Sequence, residues 1–292
     1  MTTEEVWTVK RLLEWTTDYL ARSGADSPRL DAEILLGKAL GWPRIQLYAR
    51  YDAIPSDDER TCFRESIKRR AKGMPVAYLT GEREFFSLPF EVSPAVLIPR
   101  PETEFVVVGV LDALKKREGG APTLLDIGTG SGAIAVAVAK HDSRVRVTAV
   151  DRSAAALDVA RRNAARHGLA ERIEFRCSDL FQACGEERFD IIASNPPYIG
   201  EREKDSLSVD VRDHEPHEAL FSGDDGTDLT RRLIAEAPQH LLPAGLLIFE
   251  TSPLIAERLV EALNADGRYE AISVRKDLAG LPRVVSARVA SK

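Results

Sequence analysis

From Pro122 onward, the sequence alternates short apolar runs with segments of helical character. Five runs have the composition of buried strands, and in chain order they are TLLDI, VRVTAV, RIEF, FDIIAS and GLLIFE. Unbroken apolar runs are typical of parallel strands buried on both faces, and the stretch RSAAALDVARRNAARHG between the second and third runs has a strong helical pattern. This alternation predicts a doubly wound α/β domain. Two later β-rich runs, residues 269–274 and 284–289, predict a hairpin-like pair of strands.

The first 90 residues have a different pattern, with apolar positions at helical spacing in residues 4–22, 28–40 and 56–72. Fourteen basic and fourteen acidic side chains balance there, so we predict a neutral helical bundle. The stretch EFFSLPFEV has strand character, and the proline-rich VLIPRPETE that follows is typical of a linker with a fixed shape. We therefore predict a helical domain at 1–83, a β-hairpin and linker at 84–104, and an α/β domain at 105–292.

Composition excludes several classes of protein. The 292 residues are 44% apolar and have a formal net charge of −6, which argues against a large nucleic-acid surface. Cys62, Cys177 and Cys184 have unrelated spacings, so we predict neither a disulfide framework nor a metal site. The N-terminus lacks the layout of a signal peptide, and no apolar stretch is long enough to span a membrane. We therefore expect a cytoplasmic protein.

The first predicted strand ends in a glycine-rich turn, LLDIGTGSGAIAVAVA. Gly128, Gly130 and Gly132 allow unusual dihedral angles, so a ligand can lie against the first turn of the following helix. A GxGxG sequence by itself is a weak signal, and a dinucleotide site stays open. Asp151 ends the next strand, where a carboxylate can accept two hydrogen bonds from ribose hydroxyls, and Asp179 after the third strand can accept from an adenine amino group. Helix capping or solvation is the alternative role for both aspartates.

The fourth strand ends in SNPPYI. A dehydrogenase has no obvious use for Asn195, Pro196, Pro197 and Tyr198 at this place. Together with the glycine turn, this stretch resembles the class I S-adenosylmethionine-dependent methyltransferases whose [Asn/Asp/Ser]-Pro-Pro-[Tyr/Phe/Trp] motif serves methylation of planar nitrogens. The alternative is that the prolines only end a buried strand with a rigid turn.

Such a motif suits an amide or aryl amine because the lone pair of that nitrogen is delocalised. The side-chain oxygen of Asn195 and the carbonyl of Pro196 can accept the two N–H bonds of one planar NH₂ group, while Tyr198 packs on its face. These acceptors favour the positive charge that develops on nitrogen as the methyl group arrives, so no strong base is required. The substrate can be adenine or cytosine in nucleic acid, or glutamine or asparagine in protein.

A closer resemblance covers nearly the whole chain. PVAYLTGEREFFSLPFEVSPAVLIPRPETE, the glycine turn, SNPPYI, EPHEALFSGDDGTD and KDLAGLPRVV are similar to the peptide chain release factor glutamine methyltransferases, the PrmC/HemK family. This resemblance implies a Rossmann-like seven-stranded methyltransferase domain behind a small N-terminal helical bundle. It also implies N5-methylation of the glutamine in the Gly-Gly-Gln loop of bacterial class I release factors, with the helical domain helping to bind that protein.

The resemblance also assigns residues. S-adenosyl-L-methionine, which becomes S-adenosyl-L-homocysteine, would be held by Asp126, Gly128, Thr129, Gly130, Ser131, Gly132, Asp151, Asp179, Leu180 and Asn195. The glutamine pocket would be formed by Asn195, Pro196, Pro197 and Tyr198, with Asn195, Pro196 and Tyr198 as the catalytic group. We expect a monomer whose partner is the release factor and which does not contact nucleic acid or a membrane directly.

Some points stay open at the level of sequence. A nucleic-acid adenine methyltransferase and a non-catalytic, cofactor-binding partner of the translation machinery are the rival functions, although the only local basic cluster, KRRAK, has the pattern of a solvated helix face. Arg100, Glu102 or Thr103 can line the site or serve a linker. After the fifth strand the family shows a glycine and a glutamine where this chain has ETSPLI, so only Glu250 of that motif is kept.

Overall fold

The computed structural model describes residues 6–117 and 119–290, and it divides the chain into two compact units. The first unit extends to Gly81 and also includes Ser208–His214. The second unit comprises Glu82–Leu207 and the residues from Glu215 onward. Residues 84–104, which the sequence set apart, thus group with the second unit, whereas the short internal segment at 208 has no sequence signal that separates it.

The first unit is helical. Its helices are α1 (Val9–Arg22), α2 (Pro28–Leu40), α3 (Arg44–Ala49), α4 (Asp57–Arg70), α5 (Val76–Thr80) and, from the internal segment, α9 (Val209–His214). The three longest lie within the predicted ranges, but α1 begins at Val9 and α4 ends at Arg70, so residues 6–8 and 71–72 are not helical; residues 4 and 5 lie outside the described residues. Ser56 and Glu59 form a capping box at the start of α4, which fixes where that helix begins. Helices α1, α2 and α4 bury a common apolar core that includes Leu13, Leu36 and Phe63.

The second unit is built on a seven-stranded sheet. Its strands are β3 (Thr123–Ile127), β4 (Arg146–Asp151), β5 (Ile173–Cys177), β6 (Phe189–Ser194), β7 (Leu241–Glu250), β8 (Tyr269–Lys276) and β9 (Pro282–Val289). They lie in the order β5-β4-β3-β6-β7-β9-β8, and β9 runs antiparallel to both neighbours. The five apolar runs and the terminal hairpin-like pair therefore form one sheet, as predicted, and the α/β fold class is confirmed.

Helices cover both faces of this sheet. Successive side chains of a strand point to opposite faces, so each apolar strand has side chains to bury on both of them. On one face, Leu124 and Ile191 pack with α6 (Glu104–Lys115) and α7 (Ala133–His141), and α8 (Ala154–Arg166) lies on the same side. On the other face, Leu125 and Phe249 pack against α11 (Asp228–His240) and α12 (Ala256–Asp266). The remaining helix is α10 (His217–Leu220). No helix among the described residues is long and apolar enough to cross a membrane.

A two-stranded hairpin precedes the sheet. The stretch with strand character at 84–92 is split into β1 (Glu82–Phe85) and β2 (Leu88–Glu91), which pair antiparallel. Phe86 and Ser87 form the turn with φ of 50° and 59°. Two consecutive residues with positive φ give the twist that a tight hairpin needs, but neither residue is Gly, Asn or Asp, which favour positive φ, so apolar pattern alone does not place the turn.

Asn163 ties three parts of the second unit together. This residue of α8 is fully buried, its Oδ1 accepts from the Glu91 amide at 2.7 Å, and its Nδ2 donates to the carbonyls of Glu91 and Ser131 at 3.0 and 2.9 Å. One side chain thus holds the hairpin and the loop after β3 against the same helix.

We expect Asn163→Ala to lower the free energy of unfolding by about 2–4 kcal/mol, because three buried polar backbone groups lose their partner. Urea unfolding measures this loss. Asn264→Ala is the matched control, since exposed Asn264 donates only to the Val260 carbonyl of its own helix. A loss in Asn163→Ala no larger than that of the control would contradict the structural role.

Candidate active site

The loop between β3 and α7 is held in place by backbone hydrogen bonds. The amides of Gly128 and Thr129 donate to the carbonyl of Val150 at 2.9 and 3.0 Å. Gly128 and Gly130 have φ of 69° and 55°, and a Cβ added at Gly128 would meet no protein atom within 4 Å. At Gly132 an added Cβ would lie 3.3 Å from the Cβ of Ala160. The first glycines therefore leave open space for a ligand, and the third allows two helices to pack closely.

Asp126 lies beneath this loop. It is fully buried, and its Oδ2 accepts from the Thr129 hydroxyl at 2.7 Å and from the Ala135 amide at 3.2 Å. Its Oδ1 has no hydrogen-bond partner within the described residues. Burial raises the pKa of Asp126 to about 7, against the pull of its two donors. The geometry makes Asp126 a support of the glycine loop, and a contact with cofactor stays a prediction.

Asp151 lies at the end of β4, and each of its carboxylate oxygens accepts from a backbone amide. Its Oδ2 accepts from the Gly130 amide at 2.9 Å, and its Oδ1 accepts from the Ser153 amide at the same distance. Each oxygen keeps a further lone pair for a ligand. Burial raises the pKa of Asp151 above its usual range, an effect that both backbone donors oppose. The carboxylate is thus aimed by the glycine loop and by the start of α8.

Asp179 follows β5 and is paired with Arg232 of α11. The two Asp179 oxygens accept from Nη1 and Nη2 at 3.3 and 3.0 Å. The next residue, Leu180, is buried and has φ of 48°, which is strained for a branched side chain. Such strain at the end of a strand presents the Leu180 amide in a direction that ordinary β geometry does not allow.

The end of β6 is part of a hydrogen-bonded chain of side chains. Asn195 Nδ2 donates to Thr103 Oγ1 at 3.0 Å, and the Thr103 hydroxyl donates to Glu250 Oε2 at 2.5 Å. The Tyr198 hydroxyl donates to the other oxygen, Glu250 Oε1, at 3.1 Å. Glu250 is the last residue of β7, which is the neighbour of β6 in the sheet. It therefore contacts Tyr198 directly and Asn195 through Thr103 alone.

The electrostatics of this chain depend on the burial of Glu250. Glu250 is 1% exposed and Thr103 is 3% exposed. Burial raises the pKa of Glu250 to about 7, while the hydroxyls of Thr103 and Tyr198 lower it; nearby Glu102 adds to the rise and Arg283 opposes it. Burial, together with the negative charge of Glu250, raises the pKa of the Tyr198 phenol, so Tyr198 remains a donor.

A cavity of about 600 Å³ opens at these strand ends. This volume falls in the range of small-molecule and cofactor sites. The predicted residues that line it are Gly128, Thr129, Gly130, Ser131, Asp151, Asp179, Leu180, Asn195 and Pro197. The cavity lining does not include Asp126, Gly132, Pro196 or Tyr198, all of which lie within the described residues.

The cavity lining also includes residues outside the glycine turn and the NPPY stretch. Thr103 lines the cavity, whereas Arg100 pairs with buried Glu215 and Glu102 lies 3.9 Å from Arg283. The lining also includes Glu218 and Phe221, which lie between the end of β6 and α11, and Leu229 and Arg232 of α11. Only the EPHEALFSGDDGTD stretch, through the family resemblance, indicated this region.

The loop after Glu250 departs from the family motif but is well bonded. The Thr251 amide donates to the Arg283 carbonyl at 2.8 Å, and the Ser252 carbonyl accepts from Ile255 and Ala256 at the start of α12. Leu254 is 73% exposed. Although the glycine and the glutamine of the family are replaced here, the loop forms a short turn that leads directly into α12, and Glu250 remains buried.

This donor set fits a nucleoside-bearing cofactor. A glycine cradle, a carboxylate with free lone pairs on both oxygens, and a second carboxylate beside a strained amide all face one cavity. The described residues contain no group of His, Cys, Asp and Glu with the arrangement of a metal site.

The parallel sheet, the glycine loop and the strand-end NPPY stretch define a methyltransferase domain, and the family model described as "Methyltransferase small domain" matches residues 109–211. A second model, "PrmC N-terminal domain", matches residues 11–81. The chain is 49% identical over 283 residues to the release factor glutamine methyltransferase of Rhodopirellula baltica, covering 96% of each chain. The chain belongs to the family of release factor glutamine methyltransferases, which confirms the resemblance noted from the sequence.

Further relatives and solved structures agree. The release factor glutamine methyltransferase of Geobacter sulfurreducens is 40% identical, with 98% of each chain covered. The rRNA methyltransferase RsmC of Thermus thermophilus, solved with AdoMet and guanosine, superimposes with a TM-score of 0.52 over 71% of this chain and 49% of that one. A methyltransferase from Pyrococcus furiosus gives 0.50 over 77% and 99%. These structures are 20% and 21% identical to this chain, so they support the fold alone.

The raised pKa of Asp126 predicts a pH-dependent effect on stability. The folded protein holds this proton up to about pH 7, whereas the unfolded chain releases it near pH 4, so the carboxyl costs stability increasingly as pH rises between these values. Asp126→Asn removes the charge. We expect the stability of Asp126→Asn relative to wild type to rise by on the order of 2–3 kcal/mol from about pH 5 to about pH 8. Urea unfolding at both pH values measures it, and a difference that does not change with pH would refute the assignment.

Proposed function

We propose that this protein transfers a methyl group from S-adenosyl-L-methionine to the side-chain amide nitrogen, N5, of the glutamine in the Gly-Gly-Gln loop of bacterial class I release factors. The observation that most supports the proposal is the side chain of Asn195, which lines the cavity while its NH₂ group is already engaged by Thr103. A hydrogen-bond acceptor fixed beside a cofactor-sized cavity suits an amide substrate. Membership of the family of release factor glutamine methyltransferases supports the identity of that amide.

Residues at three strand ends would hold the cofactor. The loop Gly128–Gly132 would lie along its amino-acid part, Asp151 would accept from the ribose hydroxyls, and Asp179 with the Leu180 amide would bond the adenine edge. S-adenosyl-L-methionine, when bound, supplies an electrophilic methyl group on a sulfonium sulfur. Because Asp179 already pairs with Arg232, the adenine amino group would share that carboxylate with a cation that holds it in a fixed orientation.

The NPPY stretch would bind the amide. Asn195 Oδ1 and the Pro196 carbonyl would each accept one N–H of the substrate, since proline has no N–H of its own to interfere. The ring of Tyr198 is anchored through its hydroxyl to Glu250 and would form a wall against the plane of the amide. The two acceptors stabilise the positive charge that develops on nitrogen, and the proton then leaves to solvent.

Two rival functions remain as outcomes of the test. A nucleic-acid adenine methyltransferase would modify DNA or RNA, and a non-catalytic cofactor-binding partner would modify nothing. The formal charge of −6 favours a protein substrate over a nucleic acid. Release factors act in translation, so we place the reaction in the cytoplasm and propose that a single copy of this chain acts on one release factor.

The decisive experiment is single-turnover methyl transfer by Asn195→Ala. The strand end and both prolines remain in this variant, so a purely structural turn would leave transfer nearly normal. Loss of one aligned acceptor is expected to slow transfer by about 10²- to 10³-fold. The measurement uses labelled cofactor, an intact release factor and mass spectrometry of the modified peptide.

The controls separate binding from chemistry. Asp151→Ala should weaken cofactor affinity in calorimetry, whereas Asn195→Ala should remain folded by thermal unfolding. A release factor whose loop glutamine is changed to alanine must stay unlabelled. Transfer by folded Asn195→Ala within about threefold of wild type would exclude the amide pocket, and label on the altered factor would exclude the glutamine assignment.

The helical unit is proposed to recognise the release factor. We expect a chain that begins at Glu82, with Ser208–His214 replaced by a glycine-serine linker of equal length, to bind cofactor like the full protein. It should methylate a short Gly-Gly-Gln peptide at a comparable rate but intact release factor at least about tenfold less efficiently. Equal efficiency on both substrates would show that the helices are not a recognition domain.

A further inference from the structure

We propose that Glu250 and Thr103 are positioning residues that lock the amide of Asn195 with its oxygen, and not its nitrogen, toward the substrate. This inference rests on the proposed function and deepens it, because it assigns the residues that make Asn195 an acceptor. The two ends of an asparagine side chain have nearly the same shape, and only hydrogen bonding decides which end faces a site. If the side-chain amide of Asn195 were reversed, its NH₂ group would face the N–H bonds of the substrate, and no hydrogen bond could form.

The direction of each hydrogen bond follows from the carboxylate. An ionised carboxylate only accepts, so the hydroxyls of Thr103 and Tyr198 must both donate to Glu250. The single proton of Thr103 is then used, and its oxygen can only accept from Asn195. The group that donates at 3.0 Å is therefore Nδ2, and Oδ1 is left on the other side. Among the described residues, none donates to Asn195 Oδ1, and Asn195 lines the cavity.

Burial makes this lock effective. Glu250 and Thr103 are almost completely buried, so water does not compete for their hydrogen bonds. A glutamine of the same shape would accept through one oxygen only, and one of the two hydroxyls would then have to turn. A buried carboxylate is costly for stability, but it is the side chain that accepts from two hydroxyls at once.

The same hydrogen-bonded side chains predict that the rate of methyl transfer depends on pH. The groups that face Glu250 are the hydroxyls of Thr103 and Tyr198, the carboxylate of Glu102 and the guanidinium of Arg283. Burial raises the pKa of Glu250 to about 7. A protonated Glu250 can donate to Thr103, which can then donate to Asn195 and turn the amide around. Transfer should therefore be fastest above this pKa and fall as pH decreases through about 7.

The test compares two substitutions at Thr103. Thr103→Val keeps the shape but removes the hydroxyl, and Thr103→Ser keeps the hydroxyl. We expect Thr103→Val to slow single-turnover methyl transfer to a release factor by about 10- to 100-fold, and Thr103→Ser to stay within about threefold of wild type. Cofactor affinity by calorimetry should be unchanged in both, since neither changes a proposed cofactor contact.

The matched control is Thr230→Val. Thr230 of α11 is equally buried, and its hydroxyl has no partner within the described residues, so the same change of side chain breaks no hydrogen bond there. Methyl transfer by Thr230→Val should equal that of wild type. Glu250→Gln should be slow like Thr103→Val, and its rate should no longer fall between about pH 8 and about pH 6.

A second readout does not depend on activity. The side-chain NH₂ resonances of Asn195 in the intact protein, followed by NMR with nitrogen-15 labelled asparagine, should shift with pH near 7 in wild type. They should not titrate in Glu250→Gln or Thr103→Val. If the Asn195 resonances follow this pattern but the wild-type protein transfers no methyl group, the lock is supported and the proposed function is refuted. Conversely, transfer by Thr103→Val within about threefold of wild type, or loss in Thr103→Ser equal to that in Thr103→Val, would overturn the lock.

Discussion

The parallel pairing of β3 with β4 and with β6 is the constraint on which the rest of the site depends. Ile127 lies opposite Val150 on one side and opposite Ser194 on the other, so the next residues of all three strands emerge at one edge of the sheet. The chain turns to opposite sides of the sheet around β3, and a crevice forms between the diverging loops. The glycine loop, Asp151 and the NPPY stretch meet there although up to about 70 residues separate them.

Two buried carboxylates show what this convergence costs. Asp126 is the second-last residue of β3, and Glu250 is the last residue of β7. Burial raises the pKa of each to about 7, so each destabilises the folded protein near neutral pH. Asp126 holds the glycine loop, and Glu250 holds the hydroxyls of Thr103 and Tyr198. The charges are placed where they fix the direction of a hydrogen bond, which a neutral core residue cannot do.

Strands that are encoded by a short-range pattern of residues were predicted from the sequence. The runs TLLDI and FDIIAS coincide with β3 and β6, since apolar composition and a following glycine or proline define both ends of each strand. Short helices α3 and α5 were missed because a few residues do not establish a helical period. The hairpin turn at Phe86 was not located because neither turn residue is one that favours positive φ.

Long-range pairs could not be predicted from pattern at all. Arg232 meets Asp179 across 53 residues, and Thr103 meets Glu250 across 147, so no local spacing relates them. The candidate residues of the motifs were named from the sequence, but their partners were not, and the partners decide the state of each residue. From the sequence, Asp179 is one acidic residue after a strand, whereas in the structure its carboxylate is oriented by the guanidinium of Arg232.

The direction of hydrogen bonds, more than the identity of the residues, distinguishes this pocket from a rigid turn. A proline-ended strand needs only the backbone, and it would tolerate either orientation of the preceding asparagine. An amide substrate needs an acceptor at one defined point, because its two N–H groups lie in a plane and the reacting lobe of nitrogen is perpendicular to that plane. Since Glu250 accepts from the hydroxyls of Tyr198 and Thr103, the Thr103 oxygen accepts from the side-chain nitrogen of Asn195, and no described residue donates to Asn195 Oδ1. In the proposed reaction, Asn195 Oδ1 is therefore the acceptor that an amide substrate would meet.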